Sequence, residues 1–171
     1  LVSGALILIG ICGCSHGGST GTGPRPDSDR VWIDRIGAAP GEQVKLNISF
    51  SNSRPLMGVS LPLKYYGNGC FIESVSFVGS RLENAALSIT DIDTAGQTIS
   101  VIAGDTLSID QGSGLLAGVY IKLTESPEIR QIIFDTTTID LGGMNQFLAF
   151  VVNTSYFYFP SFTPGLISVG N

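Results

Sequence analysis

Charge, histidine and long apolar runs are all scarce in this chain. Only 13% of its 171 residues are charged, against roughly 25% in an average soluble domain. The nine Lys and Arg are scattered, so the basic stripe of a nucleic-acid surface is missing. The single histidine, His16, sits in a polar stretch near the N-terminus. That excludes a Ser-His-Asp or Cys-His site, and a His-built zinc site, from the rest of the chain. Of three cysteines, Cys12 and Cys14 stand together near the start. Cys70 is thus left without a partner, and a disulfide framework is excluded. It reads as a small core hydrophobe, not a reactive thiol. Sustained helical spacing is absent, as is the run of about 20 apolar residues that a membrane-spanning helix needs.

What is present favours a β-rich domain. Glycine is abundant, at 22, and 43% of residues are hydrophobic, so the chain can bury enough apolar surface to fold. Its length suits one domain with a short appendage. The appendage is the N-terminus. Residues 1–14, LVSGALILIGICGC, are an apolar run ending at Cys14. With Ile11 three residues before that cysteine and Gly13 just before it, the run resembles the signal of a bacterial lipoprotein. The resemblance implies export and lipidation at Cys14, with Cys12 as the fallback; the alternative is an ordinary signal peptide cleaved nearby, which would leave a secreted protein. Residues 15–30 then read as a flexible Gly/Ser/Thr/Pro linker, and residues 31–171 as the folded domain.

From Val31 onward short alternating segments are separated by turn residues. QVKLNISF sets Val44, Leu46, Ile48 and Phe50 against Lys45, Asn47 and Ser49, the period of a half-buried strand. MGVSLPLKYY sets Met57, Val59, Leu61, Leu63 and Tyr65 inward, with Ser60, Pro62 and Lys64 outward. Proline cannot donate to a ladder, so a bulge or a solvent-facing amide is expected at Pro62. Further strands are expected in CFIESVSFV, in AALSITD with Leu87 and Ile89 inward, and in QTISVIAGD with Ile99, Val101 and Ala103 on one face. LLAGVYIKL follows, with Leu115, Ala117 and Val119 alternating, then EIRQIIFD, FLAFVV, TSYFYF and GLISVG. About nine short strands at this rhythm predict an all-β sandwich or barrel.

Three stretches resemble the cohesin family: VWIDRIGAAPGEQVKLNISFSN, LMGVSLPLKYY, and GQTISVIAGD followed by SGLLAGVYIKL. The resemblance covers roughly residues 31–140 and implies a nine-stranded β-sandwich of jelly-roll topology. It also implies a non-catalytic, surface-exposed module that binds a dockerin, a small helical protein whose calcium belongs to the partner. The context would be an extracellular assembly for polysaccharide use, and any membrane contact would run through the lipid anchor. The partner surface implied is one flat sheet face. On this chain its outward residues would be Ser60, Lys64, Ser88, Thr90, Thr98 and Ser100.

Other chemistry is weaker. Glu73, Glu83, Asp105, Asp110, Glu125 and Asp140 are available as a carboxylate pair for glycoside hydrolysis, but most adjoin turns or strand ends, where acids close loops. Asp91 and Asp93, in TDIDTAG, lack the third acid and closing Glu of a calcium loop, so a plain turn is expected, with no cofactor and no metal. In the run Tyr156-Phe157-Tyr158-Phe159 the tyrosines share one face and the phenylalanines the other. Tyrosines outward would form a carbohydrate-stacking platform at Tyr156 and Tyr158. The plainer expectation is a strand packed on both faces, its hydroxyls at the rim. Trp32 reads as a packing anchor. The domain is thus expected to bind rather than catalyse, either a protein or a polysaccharide, or to act as a spacer.

Overall fold

The computed structural model describes residues 29–125, 130–140 and 142–170. The apolar run, Cys12, Cys14, His16 and the linker up to residue 28 lie outside the described residues. Every regular element among those described is a strand. The first five are β1 (Arg30–Ile33), β2 (Arg35–Ala38), β3 (Gln43–Asn52), β4 (Leu56–Tyr66) and β5 (Cys70–Ser76). Then come β6 (Leu87–Asp93), β7 (Thr98–Ile109), β8 (Gly112–Leu123), β9 (Gln131–Thr136) and β10 (Ile139–Asp140). The last are β11 (Asn145–Gln146), β12 (Ala149–Asn153), β13 (Tyr156–Tyr158), β14 (Ser161–Thr163) and β15 (Gly165–Val169).

These strands build a two-layer all-β sandwich. The smaller sheet has the order β14-β1-β3-β8-β5. In the larger one, β13-β12-β4-β9-β15-β2 run in order, β7 lies along β4, and β6 lies outside β7. The N-terminal strand divides at Asp34. β1 runs parallel to β14 in one sheet, and β2 parallel to β15 in the other. The first and last strands of the described sandwich are thereby tied into both layers. Gly165 permits this crossing, because a Cβ there would stand 2.3 Å from a methyl of Ile33.

The core lies between the sheets, where the alternation of β3, β4, β7, β8 and β9 delivers one apolar residue in two. Leu46, Ile48, Leu61, Leu63, Ile99 and Ile121 are fully buried. Rings fill the ends: Phe50 meets Phe150 edge-on at 6.0 Å, and Tyr65 stacks on Phe134 at 5.9 Å. Burying each such side chain contributes about 1.5–3 kcal/mol.

Polar clamps close the margins. Arg81 donates to Asn52 Oδ1 at 2.8 Å and lies 4.4 Å above the Phe50 ring. Burial lowers its pKa, and Asp110 opposes that shift. Asp29 is buried and accepts from the Ser53 amide at 2.7 Å, the Ser53 hydroxyl at 2.8 Å and the Tyr158 hydroxyl at 3.0 Å. The sandwich therefore already includes Asp29 and Arg30, the last two residues of the stretch read as linker.

Three details of the alternation differ from expectation. A bulge between Leu56 and Gly58 turns Leu56 into the core in place of Met57. A second, where β8 meets Ile48 and Ser49, buries Leu116 and Ala117 side by side and leaves Leu115 half-buried. At Pro62 there is neither a bulge nor a solvent-facing nitrogen: its register with Ser100 is unbroken and its side chain is buried. Its carbonyl accepts from the Thr137 amide on the edge where β12 stops and β9 begins. The missing donor points into that break, so no ladder bond is lost. Trp32, read as a packing anchor, packs outside the core. It lies half-buried opposite Ser49 on the outside of the smaller sheet, with the Arg30 guanidinium 4.6 Å above its ring.

Candidate functional site

The face implied as a partner surface is the outside of β9, β4, β7 and β6. Directly paired residues in a ladder project to the same side, so the register fixes which residues it carries. Ser60, Pro62 and Lys64 of β4 are paired with Ile102, Ser100 and Thr98 of β7. All six share the outside with Gly58 and Gly104, where a Cβ on Gly104 would stand 2.8 Å from the Met57 carbonyl oxygen. That close approach keeps the middle of the face flat.

The register reverses the expectation for β6. Ser88 and Thr90 pair with Ala103 and Val101, both core residues, so they project to the core side. Leu87 and Ile89 pair with Gly104 and Ile102 and stand on the outside. β6 bonds to β7 alone, and Ser88 and Thr90 are exposed as well. As an edge strand it reaches the core at the half-buried Ile92 and leaves both of its faces wet from Leu87 to Thr90. Its apolar pair is therefore 47% and 42% exposed, beside the half-buried Ile102. Asp91 and Asp93 continue the outside row.

Part of the face is capped. Between β9 and β12, residues 137–140 and 142–148 leave the sheet as a flap in which β10 and β11 pair antiparallel. Gly142 and Gly143, at φ 70° and 93°, make its tip, a conformation that glycine adopts without a Cβ clash. The flap folds over the strands it leaves. The Ser100 hydroxyl donates to Gln146 Oε1 at 2.7 Å, and the Ser60 hydroxyl to the Phe147 carbonyl at 3.0 Å. Ser100 is thus only 4% exposed, not available on the surface as expected. Gln146 Nε2 is buried there without a hydrogen-bond partner among the described residues. Lys64 and Thr98 lie beyond the flap, half-buried, and the Lys64 ammonium is 5.8 Å from the Tyr66 ring. Of the six residues expected outward, Ser60, Lys64, Thr98 and Ser100 share the face, the flap takes two of these, and Ser88 and Thr90 turn away.

The aromatic run packs on both sides of β13. Phe157 shares the outside with Val151 and meets Phe147 of the flap at 5.4 Å. Tyr158 faces the core, edge-on to Phe150 at 5.7 Å, with its hydroxyl on Asp29. Burial, then the Asp29 carboxylate, raises the Tyr158 pKa. Phenylalanine outward and tyrosine inward is the reverse of the arrangement a two-tyrosine sugar platform requires. Tyr156 is exposed, tilted 31° from Tyr158.

Several acids hold their own loops. Glu83 accepts from the Gly79 amide at 3.0 Å, Asp140 from the Gly143 amide at 2.6 Å, and Glu73 from the Gln43 side chain. Asp93 caps its turn by accepting from the amides of Ala95 and Gly96, each at 3.0 Å. Among the described residues no cluster of three His, Cys, Asp or Glu is placed to hold a metal. Cys70 is half-buried, and burial pushes its thiol up to about 11, the behaviour of a packed rather than a reactive cysteine.

Solved structures share this fold. The OlpA cohesin of a type I cohesin–dockerin complex from Clostridium thermocellum matches with a TM-score of 0.70 at 12% identity, covering 84% of this chain and 99% of that one. The third ScaC cohesin from Acetivibrio cellulolyticus, in complex with the ScaB dockerin, gives 0.69 at 16% identity, covering 84% and 99%. A non-cellulosomal cohesin from the archaeon Archaeoglobus fulgidus gives 0.64 at 19%, covering 84% and 92%. The chain therefore contains a cohesin-like β-sandwich. No family model matches it, and no curated protein does.

Proposed function

We propose that this cohesin-like domain is a non-catalytic protein-binding module whose partner docks on the uncapped part of the larger sheet's outer face. The observation that carries the reading is the exposed pair Leu87 and Ile89 aligned with Ile102. The edge strand β6 and its neighbour β7 present a flat apolar strip bordered by Asp91, Asp93 and Thr98, the make-up of an interface centre with a polar rim. Cohesins of the same fold were solved bound to dockerins, which supports a dockerin-type helical partner that carries its own calcium. Lys64 and Thr98 belong to this surface. Ser60 and Ser100 join it only if the flap lifts, and Ser88 and Thr90 act through the rim of β6.

The sequence of the N-terminus supports an exported protein held at the cell envelope through Cys14, displaying the module in an extracellular polysaccharide-using assembly. No cofactor is required, because the reading asks for surface complementarity alone.

The test is capture from secreted and envelope fractions, with and without calcium, on the full chain and on an L87D/I89D variant. Calcium-dependent capture of a protein with paired Asp-rich loops is expected, and the double variant should lose it with an unchanged melting temperature. Capture that survives the double substitution would move the interface elsewhere. Retention of insoluble glycan alone would replace the protein-binding reading with a carbohydrate-binding one.

A further inference from the structure

A second apolar surface lies where β13 and β14, the terminal strands of the two sheets, meet at one lateral edge. There Phe147, Phe157, Phe159 and Phe162 gather, with ring centroids 5.4 Å apart for Phe147 with either Phe157 or Phe159, and 5.7 Å for Phe157 with Phe159. Phe147, Phe159 and Phe162, with Leu148, Pro160 and the threonines at 136–138, line a groove of about 380 Å³. Phe159 is 67% exposed and Tyr156 45%. The Arg54 guanidinium stands 5.1 Å from the Tyr158 ring and 5.9 Å from that of Tyr156. Phenylalanine outside, with tyrosine and arginine at the border, matches the boundary between acyl chains and headgroups, where amphipathic rings and cations settle.

We infer that this aromatic edge rests on a lipid bilayer, with Phe159 inserted and Arg54 at the headgroups. The position of the chain's entry point selects a bilayer over other occupants. The Asp29 carbonyl accepts the Ser161 amide at 3.0 Å, and its carboxylate accepts the Tyr158 hydroxyl. The chain thus enters the sandwich at this edge. The fourteen residues 15–28 separate that point from Cys14 and the apolar run 1–14, and fourteen residues span at most roughly 50 Å. Whatever holds Cys14 at a membrane holds this edge near it, at an effective concentration high enough for a weak contact to count. Sugar stacking fits less well, because the phenylalanine rings lie 44°, 55° and 83° apart and offer no common plane. The inference rests on the anchored reading of residues 1–14. It leaves the β6–β7 face, whose strands lie on the other side of β4 from β12 and β13, free for a protein partner.

The test uses the full chain with vesicles of phosphatidylcholine and phosphatidylglycerol, made with and without brominated acyl chains. The only tryptophan is removed by W32F, and an indole is placed by F159W or, as a control, by F71W. Phe71 is 61% exposed on β5, at the opposite end of the smaller sheet. Insertion to the depth of an interfacial side chain predicts a loss of F159W emission in bromolipid and unchanged F71W emission. Co-sedimentation with vesicles but equal emission from the two F159W samples would overturn the inference and leave the anchor standing. Failure to co-sediment would remove the anchor reading and the inference with it. A response of F159W to oligosaccharide or to the captured protein, but not to bromolipid, would reassign the edge.

Discussion

β4 and β6 lie two strands apart in one sheet, and both alternate apolar with polar residues, yet the alternation has opposite meanings in them. In β4 it drives Val59, Leu61, Leu63 and Tyr65 into the core. In β6 it places Leu87 and Ile89 on the outside and Ser88 and Thr90 toward the core side. The difference is positional. β4 has strands on both edges and the second sheet beneath it, so only one register buries its apolar residues. β6 has one neighbour and meets the core at Ile92, beyond its apolar pair, so Leu87 and Ile89 gain little from either side and the ladder with β7 decides. A period of two states which residues share a face, and burial alone states which face that is.

Side-chain truncation separates the two strands most directly. Leu61→Ala should cost about 2–5 kcal/mol, as for a fully buried leucine, whereas Leu87→Ala should stay within about 0.5 kcal/mol, as for an exposed residue. Urea denaturation measures both, and equal losses would place β6 over the core after all.

A smaller effect is expected where the flap caps the face. Ser100→Ala alone leaves Gln146 with neither polar group bonded and should cost about 1–3 kcal/mol, while the double change with Gln146→Leu should recover most of that loss. Recovery would sharpen the contrast, because it makes the polar contact under the flap a requirement of the pair and not of the face. A double variant no more stable than Ser100→Ala would show that the flap is held by other contacts.

The smallest effect concerns the rim. The Tyr158 hydroxyl is held neutral in the folded chain above its ordinary value of 10.0, by burial first and the Asp29 carboxylate second. The unfolded chain ionises that group from about pH 10, so its contribution to stability is whole below that pH and is lost as the pH rises. Thermal melting followed from pH 8 to 11 should fall less steeply in Tyr158→Phe than in the parent chain. Identical slopes would assign the alkaline loss to other groups.

Much of the fold was legible because each interior strand carries its own burial pattern. β3 reads Val44, Leu46, Ile48 and Phe50 inward, and the structure buries all four. Bulges were not legible: nothing local distinguishes Leu56 from Met57 or Leu115 from Leu116, and the partner strand's spacing makes the choice. The candidate surface was legible only in part for the same reason. Ser60 and Ser100 alternate as surface residues should, and their covering comes from Gln146 and Phe147, 46 and 87 positions away respectively. Leu87 and Ile89 went unnoticed as surface residues because two apolar residues in alternation carry the same signal whether a core receives them or not.

The all-β class, the strand rhythm, the exclusion of histidine chemistry from the domain and the expectation of an exported, tethered module can all be read along the chain. Those follow from composition and from local spacing, which need no partner to be read. Which side of β6 faces out, the burial of Ser100, and the tie of Asp29 between the chain's entry and an aromatic edge exist only once the chain is folded. Each of these is a contact between segments distant in sequence, and the free energy of such contacts is set by what the fold brings together, not by the residues on either side.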